Sequence, residues 1–179
     1  MGGKMQSCND YPKDYIGNLF KKKGKQDIYD KYKEKYPLDI EGLIKELDIK
    51  IEYKSFPDGI SGRFNGKNVI EVNKYHSPTR KRFTLAHELG HYLKKHEGNC
   101  HRQSLLTYNS KEQIEESEAN LFARSILMPA DEIDSFFQEY KDSMQKENFN
   151  FIKHLVEKFN VSTDALKVRL ITLGFVEGW

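Results

Sequence analysis

Between residues 78 and 95 the apolar side chains Phe83, Leu85, Ala86, Leu89 and Leu93 recur at three- and four-residue intervals, the period of one helix face. Ser77-Pro78 supplies an N-cap and a first-turn proline, so a helix is predicted from about 78 to 95. The same period predicts a short amphipathic helix around 11–22, from Tyr11, Tyr15, Ile16, Leu19 and Phe20. A second lies near 38–47, opened by Pro37 and carrying Leu38, Ile40, Leu43, Ile44 and Leu47. The period then changes from 3.6 to 2: Ile49-Lys50-Ile51-Glu52-Tyr53 alternates as a strand does. Two further runs, 59–64 and 67–72, flank Asn65-Gly66, a strong short-range hairpin signal. A small antiparallel sheet of about three strands is therefore expected beside the helix at 78–95. Downstream, helices are predicted at about 111–127, stopped by Pro129, and at about 130–141, 148–159 and 162–173.

Length and charge refine this picture. A chain of 179 residues with 37% hydrophobic residues can build one core. Residues 1–36 carry nine lysines against five acidic residues, which separates a basic N-terminal segment with a short helix from a domain at 37–179. The segment reads first as a solvated tail, and otherwise as a basic patch for an acidic partner. Over the whole chain the net charge is only +2, which predicts no nucleic-acid footprint. No apolar run approaches the 18 or so residues of a membrane span, and no signal-peptide core follows the start. Two cysteines, Cys8 and Cys100, make no disulfide framework, so a cytoplasmic location is expected.

The chemistry lies in the middle of the helix at 78–95. His87-Glu88-Leu89-Gly90-His91 places two imidazoles four residues apart, on one helix face, where both can reach one metal ion. Glu88 lies about 100° further round, placed to act as general base on a water held at that metal. Two ordinary buried histidines are the plain alternative; the apolar flanks favour the metal reading. Gly90 costs about 1 kcal/mol in a helix interior, which is easier to understand if another backbone approaches there. A catalytic zinc commonly takes three protein ligands and keeps one open position. The acidic run Glu115-Glu116-Ser117-Glu118 begins about two dozen residues later. Glu118, followed by the small Ala119 that lets helices approach, is the preferred third ligand, with Glu115 the second choice. Tyr75, His76, Tyr92, His101, Tyr108 and Arg124 are all candidates for steadying an oxyanion, and nothing in the sequence selects among them. Cys100-His101 is a poor ligand pair, being adjacent in a loop, and His96 suits a solvated helix end.

Three blocks together resemble the ImmA/IrrE family of zinc metallopeptidases: residues 82–93 around the HELGH pentapeptide, Glu118-Ala119-Asn120-Leu121-Phe122-Ala123, and Leu127-Met128-Pro129. The similarity extends over about residues 37–175. It implies an α+β fold with a gluzincin-like core, with His87, His91 and Glu118 as metal ligands and Glu88 as base. It also implies zinc as the metal, with manganese the alternative in the cell. The implied activity is site-specific cleavage of a helix-turn-helix repressor belonging to a phage, a mobile element or a stress response. Thermolysin-type enzymes carry an Asp four residues after the ligand Glu. Counting from Glu118, that position here is Phe122, which leaves the outer partners of the two histidines unassigned.

Two readings of other classes remain. Residues 155–170 resemble a helix-turn-helix, with Val161-Ser162 in the turn. A reading helix there would present Thr163, Lys167, Arg169 and Thr172, only two of them basic. Otherwise the chain would be a metal-dependent regulator that docks without cutting, for which Glu88 would be superfluous.

Overall fold

In the computed structural model, residues 14–57, 59–95, 110–141 and 150–176 are described. Helices α1 (Tyr15–Lys22) and α2 (Gln26–Asp30) precede α3 (Ile40–Glu46), which is capped by Asp39, whose side chain accepts from Gly42 N–H. Strands β1 (Lys50–Lys54), β2 (Gly62–Phe64) and β3 (Val69–Asn73) follow. Then come α4 (Pro78–Lys94), α5 (Ser110–Leu127), α6 (Ala130–Tyr140), α7 (Phe151–Phe159) and α8 (Thr163–Thr172). The fold is α+β and mainly helical. Ser77 caps α4 and Ser162 caps α8, as side-chain acceptors for the first turn.

The sheet is mixed rather than antiparallel. β2 and β3 form the antiparallel hairpin, Phe64 opposite Ile70, but β1 lies on the far edge of β3 and runs parallel to it. The sequence neighbour of β1 is β2, yet residues 55–61 readily span the two strand spacings, about 10 Å, that separate them. The hairpin loop is four residues long, not two. The Asn65 side chain closes it by accepting from both Lys67 N–H and Val69 N–H.

Ile70 and Val72 face the core, where they join Leu43 and Ile44 of α3 and Leu85 and Leu89 of α4. The other sheet face holds a charge ladder: Glu71 of β3 is paired with Arg63 of β2 and Lys54 of β1, and Lys54 also reaches Glu52 at 2.8 Å. The metal-motif helix α4 is thus sandwiched, with the sheet on one side and α5 on the other. Two glycines set these distances. A β-carbon on Gly62 would stand 2.6 Å from Thr84 Cγ2, so β2 lies directly on α4. A β-carbon on Gly90 would stand 3.0 Å from the Phe122 ring and 3.3 Å from Ala119 Cα, so α5 crosses α4 there. The close backbone approach expected at Gly90 is therefore present, and Ala119 is its counterpart.

Candidate metal centre

The rigid, buried middle of α4 holds His87, Glu88 and His91, all at most 5% exposed. The two imidazoles project from successive turns with their Nε2 atoms 3.0 Å apart. Across the helix crossing, the Glu116 carboxylate reaches both, Oε2 lying 3.4 Å from His87 Nε2 and Oε1 3.3 Å from His91 Nε2. Donors bonded tetrahedrally at about 2.0–2.1 Å stand about 3.3–3.4 Å from one another; the two carboxylate contacts, made by different oxygens, have that length, and the two Nε2 atoms at 3.0 Å are somewhat closer. Among the described residues this triangle is the cluster of His, Cys and acidic side chains able to hold a metal ion. Burial raises the Glu116 pKa, but when His87 and His91 are protonated their hydrogen bonds and charge outweigh it and hold the carboxyl well below the usual carboxylate range. A deprotonated carboxylate is what a metal requires.

The carboxylate that the structure brings to the two imidazoles is Glu116; Glu118, expected there, is not brought to them. Glu118 is 42% exposed in its side chain and pairs with Lys94 Nζ at 3.1 Å, on the outer side of the α4–α5 crossing. Glu115, the second choice, lies 3.9 Å from Lys111. The helix phase explains the place of Glu118. The buried stripe of α5 runs through Ala119, Phe122, Ala123, Ile126 and Leu127. Stepping back three residues from Ala119 or seven from Ala123 lands on Glu116, whereas Glu118 lies about 100° from the stripe's centre; Glu115, four residues before Ala119, shares the stripe's phase, so phase sets aside Glu118 and not Glu115.

With Glu116 as the reference, the position four residues on is Asn120, not Phe122. Its Oδ1 lies 3.1 Å from His87 Nδ1. An Nδ1–H donating to that oxygen leaves the Nε2 lone pair directed at the centre of the triangle. Glu88 stands beside the triangle without belonging to it. Its Oε2 accepts from the Phe64 backbone N–H at 2.9 Å, a bond from edge strand β2 that periodicity in the sequence does not reveal.

Of the oxyanion candidates, Tyr75 is 74% exposed at the β3–α4 corner. His76 precedes the start of α4, about ten residues or ~15 Å from His87, and Arg124 lies two turns or ~12 Å along α5 from Glu116. The Tyr92 ring packs edge-on against Phe64 with centroids 5.6 Å apart. His101, Tyr108, Cys8, Cys100 and His96 lie outside the described residues.

Compared with known families, residues 44–171 match the Peptidase_M78 model, described as the IrrE N-terminal-like domain. The match takes in the whole sheet, α4 through α7 and nearly all of α8. No curated protein matches the chain.

Proposed function

Because the chain belongs to the Peptidase_M78 family, the IrrE N-terminal-like metallopeptidases, we propose that it is a zinc-dependent endopeptidase acting on one specific protein, a helix-turn-helix transcriptional repressor, in the cytoplasm. The observation that carries this reading is the convergence of His87, His91 and Glu116 with a separately held carboxylate, Glu88, alongside. We assign the first three as metal ligands and Glu88 as general base.

Bound zinc would supply a Lewis acid and lower the pKa of a water to about 7. The protein's own groups do the rest. Asn120 fixes the His87 ring and its tautomer. Phe64 N–H holds one oxygen of Glu88, which leaves the other to take the water's proton and return it to the leaving amine. Burial of His87, Glu88 and His91 keeps bulk water from competing. The substrate backbone has a place as well. Among the described residues β2 pairs only with β3, and strand alternation turns the peptide groups of Gly62 and Phe64 to the outer edge. The Phe64 N–H on that edge is taken by Glu88, so an extended segment of the substrate would pair as an added strand through Gly62 and the Phe64 carbonyl, next to Glu88.

Helices α7 and α8 do not favour DNA reading. Arg169, one of only two basic residues on the would-be reading helix, is fully buried and donates to Met128 O at 2.9 Å. Arg82 of α4 donates to the carbonyl of Asn160 in the α7–α8 turn and to that of Leu38, so the pair is packed into the domain. No helix among the described residues is long and apolar enough to cross a membrane.

The test is co-incubation with the repressor encoded beside the gene, with and without a chelator, read by mass spectrometry. Cleavage at one bond, abolished by chelator and by Glu88→Gln, is expected. An intact repressor throughout, or a Glu88→Gln variant that still relieves repression, would contradict the proposal.

A further inference from the structure

Helix α1 lies before residue 44, outside the family match, yet it packs on the last turns of the metal-motif helix. Leu19 and Phe20 are buried in the shared core. Two cations fasten this packing. Lys94 of α4, 6% exposed in its side chain, lies under the Tyr15 ring at 5.4 Å and pairs with Glu118 of α5. In the opposite sense, Lys23, the residue that ends α1, holds its ammonium 4.3 Å from the centroid of the Tyr92 ring. Tyr92 follows His91 directly and meets Phe64 edge to face, the rings at 75°. Phe64 is 8% exposed, and its N–H is the donor to Glu88 Oε2.

These contacts form one continuous line from an N-terminal cation to the carboxylate. We propose that Lys23 is a positioning residue for Glu88: by holding Tyr92 against Phe64, it fixes the backbone N–H that orients the Glu88 carboxylate. Phe64 sits at the end of a three-residue edge strand, next to a four-residue loop. Such a strand end is a place where a peptide group can swing, and pairing with β3 restrains it from one side only. The Tyr92 ring restrains the same residue through its side chain, and a ring clamped by a cation on one face has less freedom to move aside. Burial and the neighbouring Lys95 ammonium lower the Lys23 pKa, in keeping with an ammonium pressed onto the protein rather than extended into water. The polar, lysine-rich N-terminal segment is on this account part of the peptidase machinery. Its importance for catalysis rests on the reading of Glu88 as base, but the geometry does not.

The experiment therefore reads the hydrogen bond itself. Hydrogen exchange of the Phe64 amide is measured by NMR in the full chain, with the core amides of Ile44 and Leu89 as controls. Glu88→Ala identifies the signal by speeding Phe64 exchange alone. Lys23→Met keeps the aliphatic stem and removes the charge; it should speed Phe64 exchange by about two- to fivefold, the range a partly exposed cation–π contact accounts for. Tyr92→Leu should speed it at least as much, Lys23→Arg should restore it, and the controls should not move. With a quenched fluorescent peptide mixture as probe, Lys23→Met should lower kcat by a similar factor at unchanged KM. A Phe64 amide unaffected by Lys23→Met overturns the proposal, as does a uniform acceleration that includes the controls. If the wild-type chain cleaves no peptide or repressor, the peptidase reading fails while the exchange result still decides this one.

Discussion

Glu88 and Glu116 are both buried carboxylates within one helix crossing, yet their partners assign them different work. Glu116 faces two imidazole Nε2 atoms, and Glu88 faces a backbone N–H. Removing each should therefore fail differently. Glu88→Gln should retain the metal and lose activity by at least about a hundredfold, the lower end of a general base's contribution, as checked by metal content and turnover on one preparation. Asn120→Ala should leave the fold intact and weaken metal affinity by about 10–100-fold, since His87 loses the acceptor that orients it; a chelator-competition titration reads this directly. An affinity unchanged in Asn120→Ala would remove that residue from the account. At this scale the HELGH pentapeptide is legible in sequence because its spacing is local, four residues on one helix. The third carboxylate is harder, because three glutamates stand within four positions, and the phase of the downstream apolar stripe sets aside Glu118 but does not separate Glu115 from Glu116. The second resemblance block starts at Glu118, and choosing by adjacency to the small Ala119 selects a residue that instead pairs with Lys94. The Phe64 contact is not legible at all, since every residue type except proline brings a backbone N–H.

Helix α4 can hold two histidines and a carboxylate in the interior only because its neighbours come unusually close. Gly90 and Ala119 set that separation, so Gly90→Val should force Phe122 and α5 outward. A loss of about 1–3 kcal/mol in stability is expected, with weaker metal binding, as measured by denaturant unfolding with and without zinc. Full stability in that variant would mean the crossing is looser than described. Most of the elements could be anticipated from period and caps: Ser77 and Ser162 each sit where a helix begins, whereas α3, expected from about 38 after Pro37, starts at Ile40 behind the cap Asp39. The pairing of β1 could not, because alternation within Ile49–Tyr53 says which side chains face inward but not which strand edge lies alongside. The short helix α2 shows no clear period in five residues, and none of them is buried.

Over the whole molecule the charge is nearly balanced, and Lys50, Glu52, Lys54, Arg63 and Glu71 form a connected group on the outer face of the sheet. Lys50 and Lys54 hold Glu52 and lower its carboxyl to about 2. At Glu71 burial pushes the pKa up, but Lys54 and Arg63 together bring it below the ordinary value. Both carboxyls are thus depressed in the folded state. Their contribution is present above the unfolded value near 4.5 and is lost as pH falls through the folded values toward about 2. The denaturation midpoint should fall across that window, and less steeply in Glu71→Gln than in the wild type; equal slopes would mean that the ladder does not couple to folding.

The account as a whole depends on which carboxylate completes the metal triangle, and metal content measured side by side in Glu116→Gln and Glu118→Gln tests that most directly. One equivalent of zinc in the wild type and in Glu118→Gln, with none retained by Glu116→Gln after dialysis, is the predicted result. Zinc retained by Glu116→Gln and lost from Glu118→Gln would contradict it.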